Sequence, residues 1–259
     1  MPRNIAFSTF VSVGCAECRN LEGLGFDFIM AFQPIVNVRT RTTFAYEALV
    51  RGVNGESAAS ILDQVNDDNR YRFDQACRVK AIERATELGL LGIPDCKLSI
   101  NFLPNAVYRP ETCIRATLEA ARLFGFPPER LMFEVTEGER VDDPMHLKGI
   151  FEEYNRQGFT TSIDDFGSGY SGLNLLAMFQ PHVLKIDMAL TRNIDKDPVR
   201  IAIVEGIVLV ANRLNIVVVA EGIETRDESD ALLRLGIDLM QGYLFARPDT
   251  FQLPLPIYS

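Results

Sequence analysis

Histidine is scarce in this chain. Only His146 and His182 occur among 259 residues, and they form no pair at ligand spacing, so a zinc site of the usual imidazole and thiolate kind is disfavoured. The five cysteines, Cys15, Cys18, Cys77, Cys96 and Cys113, are odd in number and follow no framework spacing. They fit a reducing compartment better than a disulfide scaffold. Cys15 and Cys18 make a single Cys-x-x-Cys without a second pair, a weak redox or zinc motif. Long apolar runs are missing: IVVVA at 216–220 falls far short of the roughly 20 residues of a membrane span. The start, MPRNIAFSTFVSVGCAEC, does not read as a signal peptide. Positive charge is in deficit, with 26 Lys and Arg against 35 Asp and Glu for a net −9. That balance argues against polymeric nucleic acid or an anionic membrane as partner. A phosphate-bearing substrate stays open, because bound cations invert the field of an acidic pocket. The expectation is a soluble, cytoplasmic protein.

Strand-like and helix-like segments alternate along the chain. Apolar, β-branched or aromatic runs lie near 29–36, 43–49, 97–102, 131–135, 159–164, 183–187, 216–221 and 237–241. Helical patterns lie near 57–66, 70–88, 111–124, 144–157, 171–178, 198–213 and 226–235. Asp143-Pro144 and Asp197-Pro198 each set a capping carboxylate before a proline at the first helical position. Gly89, Gly125, Gly158 and Gly236 follow helical patterns as C-terminal caps. The order suggests an α/β fold, a TIM-like (β/α)8 barrel. NVRTRTT between the first two runs is too short for a crossover helix, so the first strand is expected to run antiparallel to the rest. Residues 1–25 read as an N-terminal arm and 26–259 as the barrel.

The strand ends carry the chemistry. Glu47, Asn101, Glu134, Asp164-Asp165, Glu221 and Gln241 each close an apolar run, and Lys185 closes another. A lone carboxylate at a buried strand tip is costly to desolvate, whereas a barrel gathers its strand ends on one face. An oxygen-rich set with one amide suits Mg²⁺ or Mn²⁺. Adjacent Asp164 and Asp165 allow two ions side by side, one carboxylate bridging, the arrangement that supports in-line phosphoryl displacement. DFGSGYSG supplies glycines for a backbone that approaches a phosphate or clamps a ligand. A kinase reading of Asp165-Phe166-Gly167 fails, since no glycine-rich nucleotide loop or HRD-type loop accompanies it. Gly167-Ser168-Gly169 lacks the third glycine of a dinucleotide fingerprint.

Seven ordered segments across residues 30–248 resemble the EAL-domain family of cyclic di-GMP phosphodiesterases. They are FQPIV at 32–36 with YEALVRG around Glu47, LSINFLP at 98–104, FEVTE at 133–137, IDDFGSGYSGL at 163–173, LKID at 184–187, VAEGIE at 219–224 and QGYLFARP at 241–248. The resemblance implies hydrolysis of cyclic di-GMP to linear pGpG at two Mg²⁺ or Mn²⁺ ions. It implies that Glu47, Asn101, Glu134 and Asp164 hold one ion, and that Asp164 bridges to a second held by Asp165 and supported by Glu221. Lys185 would orient the attacking water and Glu221 would act as base. Arg51 would meet a substrate phosphate, and Gln33, Leu49 and Gln241 would line the pocket. Glu137 would tether the DDFG loop, which with its following helix would abut a homodimer partner. A non-enzymatic cyclic di-GMP receptor or protein-interaction module is the alternative, although this chain keeps the whole metal set.

Two positions depart from the family pattern. His182 stands where Asp is frequent, with an effect expected on packing or local charge. Gly52 stands where a bulky residue is frequent, and a looser adjacent loop is expected. No GGDEF, light-sensing or receiver segment is visible, so regulation is expected from the arm, from oligomerisation or from a partner in trans.

Overall fold

The computed structural model describes residues 24–137, 143–169 and 172–258. Cys15, Cys18 and nearly all of the expected arm lie outside them, as do Tyr170 and Ser171 of the glycine-rich loop. The elements alternate as the sequence suggests. Strands β1 (Phe28–Asn37) and β2 (Thr42–Gly52) lead into helices α1 (Ala58–Leu62) and α2 (Arg70–Glu87). Then come β3 (Lys97–Asn101), α3 (Pro110–Cys113), α4 (Arg115–Phe124), β4 (Leu131–Thr136), α5 (Pro144–Arg156), β5 (Thr160–Phe166) and α6 (Gly172–Met178). The chain finishes with β6 (Val183–Ile186), α7 (Met188–Thr191), α8 (Pro198–Arg213), β7 (Val217–Ala220), α9 (Arg226–Arg234) and β8 (Leu239–Met240). Among the described residues the strands close a barrel in the order β1 to β8.

The reversed first strand follows from its short link. Thr40 N donates to the Asn37 side chain at 2.9 Å and Arg41 takes φ 56, so the chain turns back within four residues and β2 pairs antiparallel with β1. β1 is also antiparallel to β8, which closes the barrel at Val36 opposite Met240. The link from β1 to β2 carries no crossover helix to cover this hairpin from outside. Phe28 packs on Phe73 of α2, ring centroids 5.1 Å apart, and the C-terminal stretch crosses β1 and β2. There Asp249 pairs with Phe32, and the buried Tyr46 hydroxyl donates to Pro254 O at 2.8 Å.

The side-chain period of two sets the barrel interior. Ile35, Ala45, Met132, Val183, Val219 and Leu239 form one apolar cluster, the floor. Two positions on from each floor residue of β2, β4, β6, β7 and β8 stand Glu47, Glu134, Lys185, Glu221 and Gln241. On the reversed β1 the step runs backward, from Ile35 to Gln33. A hydrophobic floor therefore sits directly beneath a layer of ionisable and amide groups. Phe126, Phe133 and Phe179 are buried in the layer between strands and helices, as expected of core aromatics.

The expected caps are present. Asp143 accepts from Met145 N, and Asp197 from Val199 N and Arg200 N. Gly89, Gly125, Gly158 and Gly236 all take positive φ. Three expectations need correction. The helix expected over 57–66 ends at Leu62, because the Asn66 and Asn69 side chains capture nearby backbone N–H groups and compete with helical bonding. The helix expected over 111–124 is divided at Ile114. The loop after Gly52 is tight rather than loose: Gly52 N donates to Glu56 O at 2.9 Å and Gly55 N to Gly52 O at 3.1 Å. A Cβ at position 52 would lie 2.0 Å from Glu56 Oε2, so glycine is what lets Glu56 fold back over the strand end.

Candidate metal centre

Strand alternation brings Gln33, Glu47, Asn101, Glu134, Asp164, Lys185, Glu221 and Gln241 into one connected network. Lys185 is its hub. Its ammonium lies 3.3 Å from Glu47 Oε2, 3.0 Å from Glu134 Oε2, 3.0 Å from Asp164 Oδ1 and 2.8 Å from Glu221 Oε1. Amides hold the outer side of Glu47: Asn101 Nδ2 donates to Oε1 at 2.9 Å and Gln241 Nε2 to Oε2 at 2.8 Å. Gln241 also donates to Gln33 Oε1 at 3.3 Å, and Gln33 Nε2 to Ala246 O at 3.1 Å. Gln241 thus holds the Glu47 carboxylate in place, and Gln33 holds Gln241.

The electrostatics follow from this crowding. Burial works against the Lys185 charge, but the surrounding carboxylates, Asp164 and Glu134 first, hold its pKa well above the usual lysine range. Burial pushes the Glu134 carboxyl up to about 8, with Lys185 opposing. Burial and then the Asp164 charge hold Glu221 well above an ordinary glutamate. The same two causes push Asp165 up to about 6. One lysine cannot satisfy so many carboxylates.

Asp165 reaches the site through an irregular backbone. The β5–β6 register shifts between Ile163 and Phe166, and Asp165 takes φ 53, a left-handed conformation that aspartate tolerates better than most residues. Without that shift the side chains of two successive strand residues would point to opposite faces. Glu137 fastens the turn beyond β5: its carboxylate accepts from Gly167 N at 2.7 Å, Gly169 N at 3.4 Å and Gly172 N at 2.6 Å. A Cβ at Gly172 would lie 2.5 Å from the Phe166 ring, so the turn closes only with glycine there. Glu137→Gln, which can accept with one oxygen rather than two, is expected to weaken Mn²⁺ binding about tenfold to a hundredfold. A Mn²⁺ titration followed by electron paramagnetic resonance checks this, and an unchanged affinity would show that the turn does not position Asp164 and Asp165.

Divalent ions fit the residues present. Glu47, Glu134 and Asp164 offer ligand oxygens within 4.8 Å of one another, and so do Asp164, Asp165 and Glu221. Asp164 belongs to both triads. The five carboxylates of the two triads and the Lys185 ammonium together carry four formal negative charges, which two divalent cations would balance. Glu134 Oε1 is buried with no hydrogen-bond partner, the kind of orphan that a cation satisfies. An all-oxygen donor set without histidine or thiolate suits Mg²⁺ or Mn²⁺.

Two expected residues stand apart. Leu49 and Arg51 lie further along β2 and are half-buried, and the Arg51 guanidinium donates to Val50 O at 2.6 Å. His182 has a packing role: Thr161 N donates to its Nδ1 at 3.1 Å, while His182 N and O bond Thr161 O and Val217 N at 2.9 Å each. Asp187 was not singled out by the strand-end rule, although it follows β6 by one residue. It caps α7 through Ala189 N at 2.9 Å and adds negative charge beside Asp165. Gly222, next to Glu221, takes φ 70 with Met188 packed where a Cβ would stand.

Comparison with known proteins places the barrel among solved structures. A standalone EAL protein from Vibrio cholerae O395, solved in a c-di-GMP-bound form, is 57% identical with a TM-score of 0.86, covering 91% of this chain and 98% of that one. BlrP1 of Klebsiella pneumoniae, solved at pH 9.0 as a manganese and cyclic di-GMP complex, is 35% identical with a TM-score of 0.80, covering 86% of this chain and 56% of that one. The probable cyclic di-GMP phosphodiesterase PdeD of Escherichia coli K12 is 28% identical over 254 residues, 94% of this chain and 44% of PdeD. The chain spans about half or less of the curated relatives it matches first. No helix among the described residues is long and apolar enough to cross a membrane. Residues 23–248 match the EAL domain, and the chain belongs to the EAL domain family.

Proposed function

We propose that this chain hydrolyses one phosphodiester of cyclic di-GMP to give linear pGpG, with two Mg²⁺ or Mn²⁺ ions. The observation that carries this reading is Asp164, shared by two carboxylate triads wired to one buried lysine. The cyclic di-GMP complexes of the Vibrio and Klebsiella proteins, one of them with manganese, support it. Glu47, Asn101, Glu134 and Asp164 would hold the first ion, and Asp164, Asp165 and Glu221 the second. When bound, such ions neutralise phosphate charge and acidify a water. Glu221, 2.8 Å from the Lys185 ammonium at the end of β7, would accept the proton of the attacking water. Lys185 holds that water and the carboxylates around it. Arg51 exchanges Val50 O for a phosphate oxygen, and Gln33, Leu49 and Gln241 bound the pocket. Purified chain incubated with cyclic di-GMP and Mn²⁺ is expected to yield pGpG, and no product with chelator. Cyclic di-GMP binding without pGpG would overturn hydrolysis and identify a receptor.

The active form is a homodimer in this proposal. α8 is apolar on both sides: Val204, Val208 and Ala211 are buried, while Val199, Ile203, Leu209 and Val210 are exposed, Leu209 by 60%. Leu173 on α6 is 67% exposed. A face of this kind on a soluble domain marks an interaction surface, and a second copy would cover it symmetrically. Leu209→Glu is expected to convert the dimer to monomer in light scattering. A wild-type chain that is monomeric at assay concentration would refute this.

A further inference from the structure

Outside the barrel, behind β3 and β4, lies a cation that the proposed reaction does not use. Arg78 of α2 is fully buried. Its Nη2 pairs with Asp74 Oδ2 at 2.9 Å, and its Nη1 donates to the Tyr154 hydroxyl of α5 at 2.8 Å. Its guanidinium carbon sits 5.7 Å from the centroid of the Phe102 ring, 5.1 Å from Phe133 and 5.6 Å from Tyr154. The free oxygen of Asp74 accepts from Leu103 N at 3.0 Å.

These partners are not scattered. Asn101 and Glu134 pair across β3 and β4 and turn into the barrel. Their chain neighbours, Phe102 and Phe133, turn outward by the same alternation. Arg78 touches both rings, Asp74 catches the next backbone N–H after Phe102, and Phe102 N donates to Glu134 O at 3.0 Å. A buried ion pair is a weak source of stability, since apolar replacements of equal volume are often neutral or stabilising. Its use must lie elsewhere.

We infer that Asp74, Arg78 and Tyr154 form a positioning device that sets the register of Asn101 and Glu134 from behind the barrel wall. They touch neither substrate nor ion. Asp74 fixes the backbone where β3 leaves the barrel, and Arg78 locks the two outward rings whose neighbours are ligands. The inference rests on the two-ion reading of the site and deepens it.

The test compares two neutral variants that differ only in the acceptor offered to Leu103 N. D74N/R78M keeps that acceptor and D74L/R78M removes it. Mn²⁺ affinity of the metal-free full chain is measured by electron paramagnetic resonance, and melting temperature beside it. D74L/R78M is expected to bind Mn²⁺ about fiftyfold more weakly than wild type, with its melting temperature held or raised, and D74N/R78M, which keeps the Leu103 acceptor but loses Arg78, about fivefold more weakly. Equal Mn²⁺ affinity in the two variants would overturn the inference. If D74L/R78M does not fold, Tyr154→Phe is read instead, because it keeps the ring and loses only the hydroxyl on Nη1. Binding weakened about threefold or more supports the device, and unchanged binding overturns it. A wild-type chain that binds Mn²⁺ but makes no pGpG would defeat the proposed reaction and leave this comparison readable.

Discussion

Asp164→Asn is expected to lower turnover of cyclic di-GMP at least about a thousandfold, roughly 4 kcal/mol of lost transition-state stabilisation. The size follows from its place in the site. Every other carboxylate of the two triads belongs to one of them, whereas Asp164 belongs to both. Removing its charge weakens both ions together, and each such ion stabilises developing phosphate charge by several kcal/mol. The substitution is close to isosteric, and Asp165 N, which donates to Asp164 Oδ1 at 3.0 Å, can donate to the amide oxygen instead. The fold should therefore survive. Single-turnover assays at saturating Mn²⁺ measure the effect without interference from product release. Activity within tenfold of wild type would show that Asp164 bridges nothing.

Lys185→Met should destabilise the metal-free chain by about 3–5 kcal/mol, the usual cost of removing one partner from a buried ion cluster. Methionine fills much the same space, so the loss reports charge rather than a cavity. Four carboxylates now lean on the ammonium, and without it they face one another. Their response to pH has a fixed sign. Glu134, already pushed up to about 8, holds a proton in the folded chain that the unfolded chain releases. Between the ordinary glutamate range and that value, stability falls as pH rises. In the variant the same uptake relieves repulsion at low pH, so the deficit should be larger at pH 9 than at pH 6. Mn²⁺ should restore most of it, because the ions supply the missing positive charge. Urea unfolding in chelator and in Mn²⁺ gives both numbers. A variant as stable as wild type in chelator would mean that the carboxylates are not held together by Lys185.

The site was legible in the sequence because a barrel converts strand ends into a shared face. Glu47, Glu134, Lys185, Glu221 and Gln241 could be found from short apolar runs, each ending on a polar group two positions beyond a floor residue. The length of the link after Asn37 was enough to reverse β1. Asp-Pro pairs and glycines marked helix ends, since those choices are local. Other features depended on contacts between distant segments. Arg78 sits among the polar and small residues of α2 and looks like an ordinary surface charge until Phe102, Phe133 and Tyr154 close over it. The left-handed turn at Asp165 cannot be read from an Asp-Asp pair alone. Gly52 was misread because Glu56, four residues on, decides how tight its loop is.

The most direct test of the central claim is the number of Mn²⁺ ions bound per chain, measured by titration calorimetry with the purified, chelator-treated protein, for wild type and for Asp165→Asn. Asp165 belongs to the second triad alone, so the expected result is two ions per chain in the wild type and one in the variant. One ion or none in the wild type, or an unchanged count in the variant, would contradict a shared two-ion centre at Asp164.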